Sequence, residues 1–336
     1  MDAALRRGAA RGLGLALGFG ADRLLGDPRR AHPVAGFGSV AAALEARLYG
    51  DSRLRGAVFT AALVGGAVAV GLLAERRAQA PVAHVAVTAA ATWAVLGGRS
   101  LEREAQAVDA LMVGGDLPAA RLRLTHLVGR DTAELDPSQI ARAVVESVAE
   151  NTSDAVVAPL VWGAIAGVPG LLGYRAVNTL DAMVGHHNAR YERFGWASAR
   201  LDDVANLPGS RATGLLVLAT APSEAREAAA AWRRDARAHP SPNAGVAEAT
   251  FAGALGIALG GTNTYYGERV EHRAVMGRGR PAQPVDISRA VWLARRVGYG
   301  AAAAAAVVAW GWGRRRGETQ ARGPLPLDKA GIAWAR

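Results

Sequence analysis

The sequence predicts an all-α fold: a polytopic bundle of membrane helices with a broken, re-entrant segment and cytoplasmic helical lobes. Hydrophobic residues make up 51% of the 336 residues, and charged residues make up 20%, below the roughly 25% that is usual in soluble domains. Apolar stretches recur at lengths close to the roughly 20 residues of a spanning helix. They lie at residues 9–20, 57–74, 82–98, 155–173, 212–222 and 299–313.

The first apolar stretch follows a basic N-terminus, as in a signal peptide. Asp22, Arg23 and Asp27 stand where a cleavage site would need small residues, so we expect a retained first membrane segment. The stretch 57–74 carries no charge at all. The stretch 212–222 is too short to span a bilayer alone, and we expect a buried helix or part of a tilted span. A soluble all-α core is the competing interpretation.

The apolar stretch 155–173 is interrupted by Pro159 and by the sequence Gly-Val-Pro-Gly at 167–170. Proline removes a backbone donor and clashes with the preceding turn, so we expect a broken or re-entrant element. The polar segments before and after this stretch both carry candidate catalytic groups. A simple span would separate them, whereas a re-entrant element keeps them on one side of the membrane.

We expect one integral-membrane domain over residues 1–313 and a tail over 314–336. By the positive-inside rule, the polar lobes are assigned to the cytoplasm. The first lobe, residues 99–154, holds ten acidic residues and six arginines, and it is long enough for two or three helices. The lobes cover residues 99–154, 174–211 and 223–296.

Composition excludes several classes of function. The net charge of +10 comes from arginine, but no basic patch with interleaved aromatics predicts nucleic-acid binding. Arginines on loops beside anionic lipid are the preferred explanation of the charge. With no cysteine there is no disulfide, no thiolate metal site and no cysteine nucleophile. No P-loop or dinucleotide-binding glycine motif is present.

A helix is predicted to begin at Asp136, a good N-cap followed by Pro137, and to run to about Glu150. Three charged residues recur on it every four positions and share one face, namely Arg142, Glu146 and Glu150. A solvated ladder of ion pairs is the alternative. Asn151 and Asp154 extend the polar group into the apolar boundary, where such groups are costly unless paired, bound to metal or facing water.

Three further polar clusters follow along the chain. Arg175, Asn178 and Asp181 are spaced by three and share a helical face; Arg200, Asp202, Asp203 and Arg211 form the next cluster; and His239 and Asn243 lie in a proline-rich loop. Mg²⁺ prefers one or two carboxylates together with phosphate oxygens and water, and arginine binds phosphate through two parallel hydrogen bonds. The adjacent pair His186 and His187 is a weak zinc signal, because neighbouring side chains on a helix point in different directions.

At these residues the chain resembles the CobD/CbiB family, the cobinamide or cobinamide-phosphate synthases. The resemblance rests on DRLLGDP at 22–28 with His-Pro-Val at 32–34, ESVAENTSD at 146–154, YRAVNTLDAMVG at 174–185, ARLDDVAN at 199–206 and HPSPNAG at 239–245. Two departures are local. His186 and His187 replace the usual aromatic or basic pair, and residues 207–211 alter the usual spacing from proline to arginine.

The resemblance implies a cobalamin-biosynthesis ligase in the inner cell membrane, multi-pass, with its active site facing the cytoplasm. It would join aminopropanol, or its phosphate, to the propionate carboxylate of adenosylcobyric acid, with Mg²⁺ as cofactor and ATP as co-substrate. Other membrane enzymes of cobalamin assembly are implied partners, together with the lipid bilayer.

On this hypothesis each candidate residue has a role. Acid–base catalysis is assigned to Glu146, Glu150, Asp181 and Asp203. Metal binding is assigned to Asp154, Asp202 and Asp203. Binding of substrate or phosphate is assigned to Arg142, Asn151, Arg175, Asn178, Arg200, Arg211, His239 and Asn243.

Two other functions stay open at this point. A Mg²⁺-dependent membrane alcohol phosphotransferase would also use carboxylates, but it would need them on facing membrane helices. A corrinoid transporter would explain broken helices and intramembrane polar groups. The absence of inverted repeats and the large polar share of the sequence argue against the transporter.

Overall fold

The computed structural model describes residues 3–28, 32–265 and 269–321, which form a bundle of helices with one small sheet. The helices are α1 (Ala3–Leu25), α2 (Pro33–Leu48), α3 (Arg53–Arg77), α4 (Pro81–Val95), α5 (Gly98–Val113), α6 (Leu117–Leu124), α7 (Pro137–Thr152), α8 (Ala158–Val184), α9 (Trp196–Ala205), α10 (Leu207–Thr220), α11 (Ala225–Asp235), α12 (Ala244–Leu255) and α13 (Val285–Ala321). A π-helical turn, Ser153–Val157, joins α7 to α8, and a 3-10 turn, Ala236–Ala238, follows α11.

Three helical stretches are long and apolar enough to cross a membrane: Arg53–Arg77, Pro81–Val113 and Pro137–Val184. The predicted helical membrane protein is confirmed to that extent. The predicted segments 9–20 and 299–313 do not reach the same length and hydropathy, because glycines and nearby arginines dilute their apolar content. The helices that contain them, α1 and α13, nevertheless pack along each other, and α1 also packs along α4.

Apolar side chains remain exposed along the outside of these helices. On α1, Leu13 and Leu17 are each about half exposed, and on α13 Val307 is 65% exposed. On α3, Val58 and Val70 are also more than half exposed. An apolar surface of this extent is unusual for a protein in water and suits contact with lipid.

The helix α8 reverses direction at Gly167, where the backbone has φ +70° and ψ −148°. A Cβ atom on Gly170 would lie 2.3 Å from the carbonyl oxygen of Trp162, eight residues earlier. Residues eight apart on a straight helix are separated by about 12 Å, so the two halves of α8 form a tight hairpin. The break expected from Gly-Val-Pro-Gly is therefore present, and it is a reversal of the chain.

The polar groups that the reversal frees are bound by α1 and α3. The guanidinium of Arg11 donates to the carbonyl oxygens of Ala164 and Ile165, at 3.5 and 3.4 Å. Glu75 accepts the N–H of Val168 at 2.9 Å and lies 3.7 Å from Arg11. A helix break in an apolar setting is tolerated only when such partners exist, so this ion pair stabilises the hairpin tip.

The helix α7 is the most central part of the bundle. The predicted N-cap at Asp136 is confirmed, and it forms a capping box: Asp136 accepts the N–H of Gln139, whose side chain accepts the N–H of Asp136. Ile140, Val144 and Val148 are buried with most of their neighbours, so the helix is enclosed by other parts of the protein. Its small and β-branched residues let other helices pack on every side.

A three-stranded sheet lies in the lobe that was predicted to be helical. Strands β1 (Ile257–Tyr265) and β2 (Arg269–Met276) are antiparallel, and the two-residue β3 (Arg280–Pro281) runs parallel to β1. The sheet is fastened to α7, because Arg142 donates to the carbonyl oxygens of Gly260 and Thr262, and Glu146 accepts the N–H of Gly260 at 2.8 Å.

The remaining segments agree with the sequence in part. The helix α10 is 14 residues long, as expected of a segment too short to span alone. The helix α13 continues to Ala321, beyond the predicted start of the tail at residue 314, and residues 322–336 lie outside the described residues.

We expect Gly167→Ala to destabilise the protein by about 1–3 kcal/mol, because a residue with a Cβ is strained at positive φ. The added atom would also lie 2.1 Å from Oε1 of Glu75. Thermal unfolding in detergent measures this. Gly66→Ala is the matched control, since nothing lies within 4 Å of its Cβ position in α3. Equal unfolding temperatures for the two variants would show that the reversal does not require glycine.

Candidate active site

Four carboxylates from four successive segments meet where the α8 hairpin opens. They belong to α7, the π-helical turn, the end of α8 and α9, and they are Glu150, Asp154, Asp181 and Asp202. We refer to them as the acidic cluster. Asp154 and Asp181 interact electrostatically although 27 residues separate them, a distance of about 40 Å along a straight helix. The hairpin is therefore what creates the cluster.

The helix α9 is held against the hairpin at two points. Thr60 of α3 and Ser198 of α9 share a buried hydrogen bond of 2.8 Å between their hydroxyl oxygens. The indole N–H of Trp162 donates to the carbonyl oxygen of Ala205 at 2.7 Å. These contacts turn Asp202 inward, and it is only 9% exposed.

Asp202 is the most informative member of the acidic cluster. Burial, followed by the negative charge of Asp181, raises the pKa of Asp202 to about 7, and the charges of Asp203 and Glu150 add to this. The side-chain amide of Asn178 opposes the rise. The Oδ1 atom of Asp202 is buried without a hydrogen bond to any described residue. An under-satisfied carboxylate among other carboxylates is a group that a cation would stabilise.

Asp154 lies in the π-helical turn, a rare irregularity that is frequent at functional sites. The side-chain amide of Asn206 donates to its Oδ1 atom, and Asn206 also lies 3.5 Å from the hydroxyl of Ser153. Asn206 was present in the sequence motif but was not assigned a role. Its amide helps to hold Asp154 within the acidic cluster.

Asp203 occupies the margin of the site. Its side chain is 32% exposed and accepts a hydrogen bond from Arg200 at 3.4 Å, while the side chain of Arg200 is 68% exposed. Neighbouring positions on a helix point about 100° apart, so Asp202 and Asp203 face different ways. Among the described residues no group of three or more His, Asp or Glu side chains is arranged to hold a metal ion. The predicted trio of Asp154, Asp202 and Asp203 is therefore not a preformed ligand set.

The predicted loop at residues 239–245 contacts the site through Asn243. Its Oδ1 atom accepts hydrogen bonds from Ser210 and Arg211, each at 2.9 Å, and its Nδ2 atom donates to the carbonyl oxygen of Asp203 at 2.9 Å. Arg211 also donates to the carbonyl oxygen of Pro242 at 3.1 Å. Both polar atoms of the Asn243 side chain thus form hydrogen bonds, and they link Arg211 to the edge of the acidic cluster.

His239 faces a buried carboxylate that the sequence interpretation did not assign. Its Nδ1 atom lies 3.0 Å from the backbone nitrogen of Ser241, and its Nε2 atom lies 3.6 Å from Oε1 of Glu248. Glu248 makes no hydrogen bond to a described residue. Burial, reinforced by the charges of Glu146 and Glu150, raises its pKa well above the ordinary value. A lone glutamate in the otherwise apolar α12 was the signal for this residue.

A cavity of about 120 Å³ lies between α7, α12 and β2. It is lined by the side chains of Arg130, Glu146, Glu150, Glu248 and Arg273, together with Leu127, Val128, Gly129 and Ser147. Arg130 donates to the buried carboxylate of Glu146. Neither of the two arginines was assigned a role from the sequence, because their partners are distant along the chain.

Several predicted site residues are committed to holding the protein together. Arg142 and Glu146 fasten β1 to α7, as described above. The side-chain amide of Asn151 donates back to the carbonyl oxygen of Ser147 at 2.9 Å. These side chains bind other groups of the protein and so hold its elements in position. The acidic cluster, in contrast, includes a carboxylate oxygen without a partner among the described residues.

The N-terminal motif at residues 22–28 serves two purposes. Asp22 is buried and accepts the N–H of Arg99 at the start of α5, and the carbonyl oxygen of Gly26 accepts the indole N–H of Trp93 at 2.9 Å. Asp27 interacts electrostatically with Arg175, which also interacts with Asp154 and lies 3.5 Å from Asn178. Arg175 is thus one of the cations that interact with the acidic cluster.

Comparison with known proteins gives consistent matches. A model of the family described as CobD/Cbib protein matches residues 15–294, a range that contains every motif quoted above. A Mycobacterium tuberculosis protein named Cobalamin biosynthesis protein CobD is 52% identical over 297 residues, covering 87% of this chain and 94% of that protein. Proteins of the same name from Geobacter metallireducens and Rhodobacter capsulatus are 46% and 41% identical, covering 83% and 84% of this chain and 90% and 92% of those proteins. No solved structure matches the chain.

We expect Asp202→Asn to stabilise the protein above pH 7. The pKa of Asp202 is about 7 in the folded protein and near its ordinary value of 3.8 in the unfolded chain. Between these values the folded protein holds a proton that the unfolded chain has lost, so the free energy of unfolding falls as pH rises from about 4 to about 7. The variant does not lose this stability, a difference on the order of 4 kcal/mol above pH 7.

The measurement is the difference in unfolding temperature between Asp202→Asn and the unaltered protein from pH 4.5 to pH 8. The difference should grow with pH and level off above pH 7. A difference that does not change with pH would contradict the raised pKa.

Proposed function

The chain belongs to the CobD/CbiB family, whose relatives act in cobalamin biosynthesis, and we propose that it catalyses ATP-dependent amide ligation on a corrinoid. The acceptor would be the propionate carboxylate of adenosylcobyric acid. The amine would be aminopropanol or its phosphate. The product would be adenosylcobinamide or adenosylcobinamide phosphate.

The observation that carries this proposal is the acidic cluster at the mouth of the α8 hairpin. Buried carboxylates that repel one another are unfavourable unless a cation or a cationic substrate joins them. Ligation brings both: Mg²⁺ that accompanies ATP, and an amine that arrives as an ammonium ion. Arg175 and Arg211 lie at the edges of the same site and suit anionic substrates.

The proposed first step is activation of the corrinoid carboxylate. A carboxylate resists attack because an oxide ion is a poor leaving group. An oxygen of the carboxylate attacks a phosphorus atom of ATP, giving either an acyl phosphate and ADP or an acyl adenylate and pyrophosphate. Arginines beside the reacting groups would stabilise the charge that develops on the phosphate oxygens.

In the second step, the amine attacks the activated carbonyl carbon and expels phosphate or AMP. The ammonium must first lose a proton, and Glu150 and Asp181 are the proposed acceptors because both belong to the acidic cluster. The nitrogen then forms the amide bond as the bond between the carbonyl carbon and the phosphorus-bearing oxygen breaks. The nitrogen loses its second proton to the departing phosphate group or to water. Asn178, which lies between Arg175 and Asp202, is a proposed positioning residue.

The residues present suit a magnesium ion. Mg²⁺ usually takes one or two carboxylates and completes its coordination with water and phosphate oxygens, so a three-carboxylate set is not required. Asp202, with its unpartnered buried Oδ1 atom, and Asp154 would hold it. When bound, the ion would neutralise phosphate charge.

We place the protein in the inner cell membrane with this site facing the cytoplasm, where ATP is available. The α8 hairpin supports a re-entrant arrangement, since both of its ends reach the acidic cluster while its tip contacts Glu75 at the far end of α3. Other membrane enzymes of cobalamin assembly are proposed partners that would receive the product.

Detergent-purified protein incubated with adenosylcobyric acid, ATP, Mg²⁺ and each amine should yield a corrinoid whose mass has increased by that of the amine less water. Glu150→Gln and Asp181→Asn should each lower the rate by at least about 100-fold, the usual range for loss of a general base. Glu134→Gln is the control, because Glu134 is exposed and outside the site. Corrinoid of unchanged mass from the unaltered protein would refute the proposed reaction.

Magnesium binding can be tested without turnover. At pH 8, Mg²⁺ at ten times its dissociation constant should stabilise the unaltered protein by about 1.4 kcal/mol. Asp202→Asn should lose most of this, since it removes a charged ligand. Binding should also weaken below pH 7, because a ligand carboxyl must be deprotonated. Equal stabilisation of both proteins by Mg²⁺ would exclude Asp202 as a ligand.

A further inference from the structure

A second, larger pocket of about 810 Å³ lies beside the acidic cluster. It is bounded by α10, α11 and the loop that follows the 3-10 turn, and its lining includes Arg211, Trp232, Arg233, Arg237, His239 and Pro242. We call it the basic pocket. Its volume is within the range of roughly 300–1,000 Å³ that is usual for small-molecule sites.

The arginines that line the basic pocket are not paired with carboxylates of the described residues. Among the described residues, Arg211, Arg233 and Arg237 form no ion pair with Asp or Glu. The neighbouring Arg234, which does not line the pocket, pairs with Asp235 at 2.7 Å. Three guanidinium groups around one cavity repel each other and favour a ligand with several negative charges.

Hydrogen bonds through Asn243 link the basic pocket to the helix that carries Asp202 of the acidic cluster. Asn243 accepts from Arg211 and donates to the main chain of Asp203, which follows Asp202 in α9. A polyphosphate in the basic pocket would therefore end near carboxylates that can bind its metal ion. Arginines on one side and metal-binding carboxylates on the other are what a metal–polyphosphate complex requires.

The pocket also has an apolar side. Trp232 is half buried, and its ring is held close to Gly214 of α10, where a Cβ atom would lie 2.7 Å from the ring. Val246 and the two prolines of the loop, Pro240 and Pro242, complete this side. A flat heterocyclic base can pack against such a surface, whereas inorganic phosphate would leave it empty.

We propose that the basic pocket binds the nucleoside triphosphate, with Arg233 and Arg237 contacting its phosphates together with Arg211. This rests on the proposed function, because it takes that reaction's co-substrate as the ligand. It adds Arg233 and Arg237, on and just after α11, to the binding residues. The base lies against Trp232, and the phosphate chain points toward Asn243 and the acidic cluster.

The test is calorimetric titration of the full-length, detergent-purified protein with ATP in the absence of any corrinoid. Arg233→Gln and Arg237→Gln should each weaken ATP binding by roughly tenfold, the usual loss for one charge-assisted hydrogen bond. Arg226→Gln is the matched control. Arg226 is an exposed arginine on the same helix that does not line the pocket, so its removal should leave the affinity unchanged.

Two further ligands identify the chemistry that the pocket recognises. Inorganic tripolyphosphate should compete with ATP but bind more weakly, because it lacks the base. Vesicles containing 30% anionic lipid test whether the arginines bind lipid headgroups instead. If Arg233→Gln and Arg237→Gln weakened vesicle binding and left ATP affinity intact, the pocket would be a lipid site and the inference would be wrong.

Failure of this inference can be told apart from failure of the proposed function. If the amide product forms but both variants bind ATP as tightly as Arg226→Gln does, the nucleotide lies elsewhere and only the inference falls. If ATP binds the unaltered protein and weakens in both variants while no amide forms, the pocket assignment stands and the reaction does not. If the unaltered protein binds no ATP, the inference is overturned.

Discussion

The reversal of α8 at Gly167 is the constraint on which the other features depend. A straight helix would put Asp181 about 40 Å from Asp154, whereas the hairpin brings both into one electrostatic cluster. A reversal in an apolar bundle exposes carbonyl and amide groups, and the pair formed by Arg11 and Glu75 binds them. The ion pair at one end of the bundle thus supports a site at the other end.

The acidic cluster shows how the protein separates structural charge from charge that is available for chemistry. Glu146 is buried but neutralised by Arg130 and by the N–H of Gly260, so it fastens β1 to α7. Asp202 is buried among other carboxylates and keeps an oxygen without a hydrogen bond in the described part of the chain. Folding tolerates that unfavourable arrangement because the rest of the bundle is tightly packed.

The arginines divide in the same manner. Arg142 and Arg130 have their donors directed at protein groups, and they position the elements around the site. Arg211, Arg233 and Arg237 line a cavity and lack a carboxylate partner among the described residues. The first group stabilises the fold. In the second group, Arg233 and Arg237 are available to an anionic ligand, whereas Arg211 also donates to Pro242 and Asn243.

Periodicity and local motifs were sufficient to predict the helical membrane character, the cap at Asp136, the break at residues 167–170 and membership of the family. These properties depend on residues close together in the chain. The small sheet was missed because the alternation in β1 and β2 was weak beside the helical pattern around it. It is the fastening of Gly260 to α7 that stabilises this sheet.

The arrangement of the site could not be predicted from the sequence in the same way. The sequence determined that carboxylates, amides and arginines stand near an apolar break, and it determined which residues these are. Only the tertiary structure decided that Glu150, Asp154, Asp181 and Asp202 meet. It also decided that Arg142 and Asn243 hydrogen-bond to other parts of the protein, and that Glu248 is buried beside His239. The reason is physical: whether a charge is paired, buried or open to a ligand depends on groups that are neighbours only after folding, and spacing along the chain carries no record of them.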